Sequence, residues 1–125
     1  MIHILMLYEK VTLTMPMEQR RFFSCLNDTI AELRAKYEQP KPKLLFCDED
    51  ENNRCDEILT YFYTSLEEYI PIHYLYANCI VDNILFLAGA GEEYKTEFLR
   101  KADEAYRSCL RSKAKRTGRI KRGSW

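Results

Sequence analysis

Glycine and proline are scarce, four of each in 125 residues, which leaves no room for a long low-complexity segment. Net charge is absent: 19 Lys and Arg offset 19 Asp and Glu, which argues against a nucleic-acid binder that uses its whole surface. No apolar run approaches the ~18–20 residues that a membrane span requires. The longest, Cys79–Ala90, is interrupted by Asp82 and Asn83. The opening MIHILMLYEK lacks the basic start and the small-residue cleavage site of a signal peptide. These absences predict a soluble intracellular product with no membrane partner, of a length that suits one modest core.

Metal-ligand spacing is also missing. The five cysteines (Cys25, Cys47, Cys55, Cys79 and Cys109) form no C-x-x-C pair and are odd in number, so neither a zinc site nor a disulfide framework is supported. Three of them fall on apolar faces of predicted helices, where a free thiol packs as a small hydrophobe in a reducing compartment. His3 and His73 are the only histidines, and neither stands in an H-x-x-x-H setting. The acidic run Asp48–Glu51 lacks the glycine and the twelfth-position glutamate of a calcium-binding loop. GAGEE is not a phosphate loop, because no Lys-Ser/Thr follows it. The sequence therefore predicts no catalytic, cofactor or metal site, and not an enzyme.

What is present is helical periodicity. Residues 2–10 suit either a short helix or a strand. Thr14 and Pro16 read as the start of a helix that runs to about Tyr37. Its stripe is Phe22, Leu26, Ile30, Leu33 and Tyr37, and Pro40 and Pro42 stop it. Lys43–Cys47 and Ile58–Thr64 fit two strands of a small β-hairpin, and a helix through Asp56–Tyr63 fits almost as well. Ser65-x-x-Glu68 has capping-box spacing. A third helix is predicted to start close to Pro71, with Ile72, Leu75, Tyr76, Cys79, Ile80, Ile84 and Leu87 on its apolar face. Gly89 and Gly91 end it. A last helix over about Glu92–Ser112 carries Tyr94, Phe98, Ala102, Ala105, Tyr106 and Cys109 on one side, which makes an antiparallel αα-hairpin. The fold class is thus mainly α: an antiparallel bundle of three to four helices with a small β-hairpin insertion as one reading of residues 43–64. A helical domain over 1–112 is followed by an extended basic arm over 113–125.

Two features point to partners. Charge is unevenly placed: residues 48–57 hold six acids and one Arg, while residues 111–122 hold seven bases and no acid. Tyr61, Phe62, Tyr63, Tyr69, Tyr74 and Tyr76 crowd into sixteen residues, which suits either a protein–protein surface or an aromatic core with hydroxyls at its edge. The basic end, closed by Trp125, reads as a phosphate-binding arm, as an anchor that orders on a partner, or as a solubilising end.

FFSCLNDTIAELRAKY resembles the first long helix of phage head–tail connector (adaptor) proteins. SLEEYIPIHYLYANCIVDNILFLAGAGEEYKTEFLRKADEAYRSCL resembles their two-helix hairpin, and together the likeness spans roughly residues 18–110. The resemblance implies a virion structural protein of the tailed-phage neck, made in the host cytoplasm. It implies a homo-oligomeric ring, usually a dodecamer, seated below the portal protein. Such a ring extends the DNA channel, lets DNA pass without sequence preference, and receives the tail or a stopper protein. The family's portal-binding C-terminal arm maps here onto Lys113, Lys115, Arg116, Arg119, Ile120, Lys121, Arg122 and Trp125. Subunit-interface candidates are Asp48, Glu49, Asp50, Glu51, Tyr61 and Tyr63. The other functional reading is a small helical regulatory or nucleic-acid-binding module that uses its basic tail on phosphates, although no helix-turn-helix with a basic recognition helix is present.

Overall fold

The structure, a computed structural model, describes the backbone of residues 2–37 and 62–123 and the side chains of 2–36 and 62–111. In chain order the elements are β1 (Ile2–His3), α1 (Ile4–Thr14), α2 (Gln19–Tyr37), β2 (Tyr69–Ile70), a 3-10 turn (Tyr74–Tyr76), α3 (Ala77–Leu87) and α4 (Glu92–Gly123). The protein is mainly helical. β1 and β2 pair antiparallel, Ile2 opposite Ile70 and His3 opposite Tyr69.

α3 is the central helix. Apolar side chains lie on most of its circumference, and Ala77, Cys79, Ile80, Ile84 and Leu85 are buried together with Asp82 and Asn83. It packs against α1, α2 and α4. α2 brings Phe22, Leu26, Ile30 and Leu33 to it, and α4 brings Phe98, Ala102, Ala105 and Cys109. Of the stripes read from the sequence, Phe22, Leu26, Ile30 and Leu33 on α2 and Phe98, Ala102, Ala105 and Cys109 on α4 are buried; Tyr94 and Tyr106 are half-buried against the core, and the side chain of Tyr37 lies outside the described residues. On α1 the buried set is Ile4, Leu7 and Val11, at helical steps of three and four.

The turn between α3 and α4 follows from its glycines. Ala90 N–H donates to Leu85 C=O and Gly89 N–H to Phe86 C=O, both at 3.0 Å. This pair of bonds is the Schellman arrangement, which places Gly89 at the left-handed position, φ +91°. Arg21 Nη2 donates to Ala88 C=O at 2.8 Å and so satisfies a further carbonyl at that helix end.

Several boundaries differ from those expected. Thr14 ends α1 and does not begin α2, whose first residue is Gln19; Pro16 lies in the short link between them. The third main helix does not begin near Pro71. Residues 69–70 pair with β1 instead, and the helical stretch starts at the 3-10 turn. The Ser65 and Glu68 capping box forms, but no helix follows it. Glu68 Oε2 accepts from the N–H groups of Thr64 and Ser65 at 3.0 Å, and Ser65 Oγ accepts from Glu67 N–H at 3.2 Å. The carbonyls of Leu66 and Glu68 then accept from the N–H groups of Leu5 and Ile4 at 3.0 and 3.1 Å, so this turn caps α1. The proposed β-hairpin at 43–64 lies almost wholly outside the described residues, and its last three residues, 62–64, form no strand. The last helix does not stop at about Ser112, and the start of the arm is not extended: α4 continues to Gly123. No proline interrupts residues 112–123, and Lys, Ala and Arg favour helix there, while Gly118 costs only about 1 kcal/mol.

Candidate partner-binding surface

Polar side chains fix α4 against α2 and α3. Thr29 and Asn83 are fully buried. Asn83 Nδ2 donates to Thr29 Oγ1 at 2.9 Å, and Thr29 Oγ1 donates to Cys25 C=O at 2.8 Å. Lys95 Nζ reaches Asn83 Oδ1 at 3.2 Å and Glu32 Oε2 at 2.6 Å. The same ammonium lies over the rings of Phe86 and Phe98, 5.3 and 4.9 Å from their centroids. Further along, Lys101 Nζ pairs with the buried Asp82 carboxylate at 2.7 Å. A buried polar group without a partner costs several kcal/mol, so the Thr29–Asn83 bond favours this packing of α3 on α2, while the half-exposed Lys95 and Lys101 add ion pairs from α4. Burial, helped by the nearby Asp82 charge, pushes the Cys79 thiol up to about 12. It is a neutral packing group, and its Sγ donates to Tyr76 C=O at 3.0 Å.

With the hairpin fixed, lengths decide what projects. The 3-10 turn and α3 together supply 14 residues opposite the 32 of α4. At about 1.5–2.0 Å per residue they cover roughly 22 Å of a helix roughly 48 Å long, so about 25 Å of α4 runs past its antiparallel partner. The last described buried side chain on α4 is Cys109. Lys113, Lys115, Arg116, Arg119, Ile120, Lys121 and Arg122 all belong to the helical backbone beyond it.

The remaining site candidates separate. Trp125, Tyr61 and the acidic Asp48, Glu49, Asp50 and Glu51 lie outside the described residues. Tyr63 is not a surface group: only 4% of it is exposed, in the core of its own chain. Asn27 on α2 holds it there. Asn27 Oδ1 accepts from Tyr63 N–H at 2.9 Å, and Asn27 Nδ2 donates to Tyr63 C=O at 3.0 Å. Among the described residues the exposed aromatics are instead Phe62 (64%), Tyr69 (55%) and Tyr74 (66%). His3 stacks on Tyr69 at 4.5 Å and His73 on Tyr74 at 4.7 Å. Sequence reasoning missed Asn27, Thr29, Asn83 and Lys95. The one available signal was Asn83, a polar residue in the middle of the longest apolar run.

Cys25, Cys79 and Cys109 are buried thiols outside any disulfide, as their places on the helical stripes predicted. His73 caps the 3-10 turn, its Nδ1 accepting from Leu75 N–H at 3.2 Å. Beside α4 a shallow groove of about 250 Å³ is lined by Leu75, Asn78, Arg100, Lys101, Glu104 and Ser108. Arg100 is held by Glu97 and Glu104, which leaves the groove without an uncommitted charge from either of its cations. Among the described residues no cluster of three or more His, Cys, Asp or Glu could hold a metal ion, and no helix is long and apolar enough to cross a membrane. No family model, curated protein or solved structure matches this chain.

Proposed function

We propose that this chain is a structural subunit of a tailed-phage neck. It forms a ring below the portal, extends the DNA channel and connects head to tail. The observation that carries the reading is a rigid helical hairpin whose second helix outruns the first by about 25 Å. Such a subunit packs through its body and reaches a neighbour with its arm. A ring needs heterologous contacts, in which one patch meets a different patch on the next subunit. The acidic run at 48–57 and the basic run at 111–122 provide two patches of opposite sign. Portal insertion of the arm uses Ile120 and Trp125 as apolar anchors among its bases.

Electron microscopy of the full chain mixed with its cognate portal tests this. A closed ring stacked under the portal is the expected image. Deleting residues 113–125 is expected to abolish the complex and leave the unfolding midpoint of the body unchanged, because the last described buried side chain of α4 lies before the cut. Free portal and free chain in every image, at micromolar concentrations of both, would overturn the assignment.

A further inference from the structure

The helical course of α4 beyond Ser112 changes what its bases can do. In an extended chain seven cations in twelve residues form a diffuse positive tail. In a helix they acquire faces. Positions 111, 115, 119 and 122 follow one another at steps of four, four and three, and so share one face. Positions 113, 116 and 121 lie off it. No acid follows Glu104, so no carboxylate of the same chain segment interrupts this face. We infer that this face of α4 binds the phosphates of double-stranded nucleic acid without reading its sequence.

Dimensions and charge favour this partner. From position 111 to 122 the helix rises roughly 16 Å, about the rise of five base pairs, and an α-helix fits the width of a major groove. Between 111 and 122 the only apolar residues are Ala114 and Ile120, and neither position lies on the face shared by 111, 115, 119 and 122. The zero net charge of the whole chain conceals the arrangement. Residues 111–125 hold seven bases and no acid, leaving 12 bases against 19 acids, a net −7, for residues 1–110. The projecting length is about 25 Å, two to three times the ~8–10 Å screening length at physiological salt, so the outer part of the face is shielded from the acidic body. This inference stands apart from the connector reading and needs no portal.

Fluorescence anisotropy of a random-sequence 30-base-pair duplex with the full chain tests it. Four phosphate contacts give a log–log salt slope near −3.6, a loss of affinity of about 150-fold between 50 and 200 mM salt. Changing Arg111, Lys115, Arg119 and Arg122 together to Gln is expected to flatten that slope and weaken binding about 100-fold at 50 mM salt. Changing Lys113, Arg116 and Lys121 to Gln is expected to cost less than tenfold. Ala114→Pro keeps every charge and breaks the helix, and is expected to weaken binding nearly as much as the face variant. Circular dichroism of the body reports that the variants fold. Equal loss per charge removed in the two sets, or full binding by Ala114→Pro, would overturn the helical face. No duplex binding at 50 mM salt, or cationic contact seen only as self-association through the acidic body, would overturn nucleic acid as the partner.

Discussion

The Asn27 amide makes three hydrogen bonds: Oδ1 accepts from Tyr63 N–H, while Nδ2 donates to the carbonyls of Tyr63 and Phe23. Truncation to Ala leaves the Tyr63 backbone with an unmet donor and acceptor, at a cost of about 1–3 kcal/mol each when buried. Asn27→Ala is expected to lower stability by about 2–3 kcal/mol in urea unfolding. Asn27→Asp keeps the acceptor but sets a carboxylate against two carbonyl oxygens, so it should be at least as damaging at pH 7 and recover as the pH falls below 4. Cys79 gives a second residue-scale expectation. Its thiol is raised by burial, from an ordinary value near 9 to about 12. A raised acid favours the folded state at low pH. Its contribution is therefore complete below about pH 9 and is lost as the pH climbs towards 12, at up to about 1.4 kcal/mol per unit. Urea midpoints at pH 8 and 10 should fall more steeply for the natural chain than for Cys79→Ala. Native Cys79 should also resist alkylation at pH 8.

At the scale of elements, the α3–α4 turn rests on Gly89. A Cβ there meets nothing within 4 Å, so the penalty for a side chain comes from φ +91° alone. Gly89→Ala is expected to cost about 1–2 kcal/mol and Gly89→Asn less, since Asn tolerates the left-handed region; thermal unfolding checks both. This turn was legible in the sequence because its cause is local: an apolar stripe ends, a glycine follows, and a second stripe begins. α2 was legible for the same reason, from Phe22 to the residues before Pro40. β1 and β2 were not. Two residues are too few to show alternation, and their pairing joins positions 68 apart in the chain, Ile2 and Ile70. The Ser65–Glu68 box was visible, but its use was not, since the donors its carbonyls accept come from Ile4 and Leu5. At the candidate surface the basic positions were legible as composition. Their shared face was not, because Gly118 and the absence of an apolar stripe suggested a break that backbone geometry does not make.

For the whole molecule, the long polar spacing between α4 and its neighbours matters as much as the core. Lys95 and Lys101 each pair with a carboxylate on another helix, Glu32 and Asp82, which ties the first turns of α4 to both α2 and α3. The Asn27 clamp has another whole-molecule effect. α2 ends at Tyr37, and just after the chain's description resumes at Phe62, Tyr63 is held by Asn27 of that same helix. A single engineered break inside 38–61 would thus yield two halves, one carrying β1, α1 and α2 and the other β2, α3 and α4, with a common core and a two-stranded seam to rejoin them. Mixed as separate polypeptides, they are expected to reassemble into a one-to-one heterodimer by gel filtration, which would make this chain a ready split reporter.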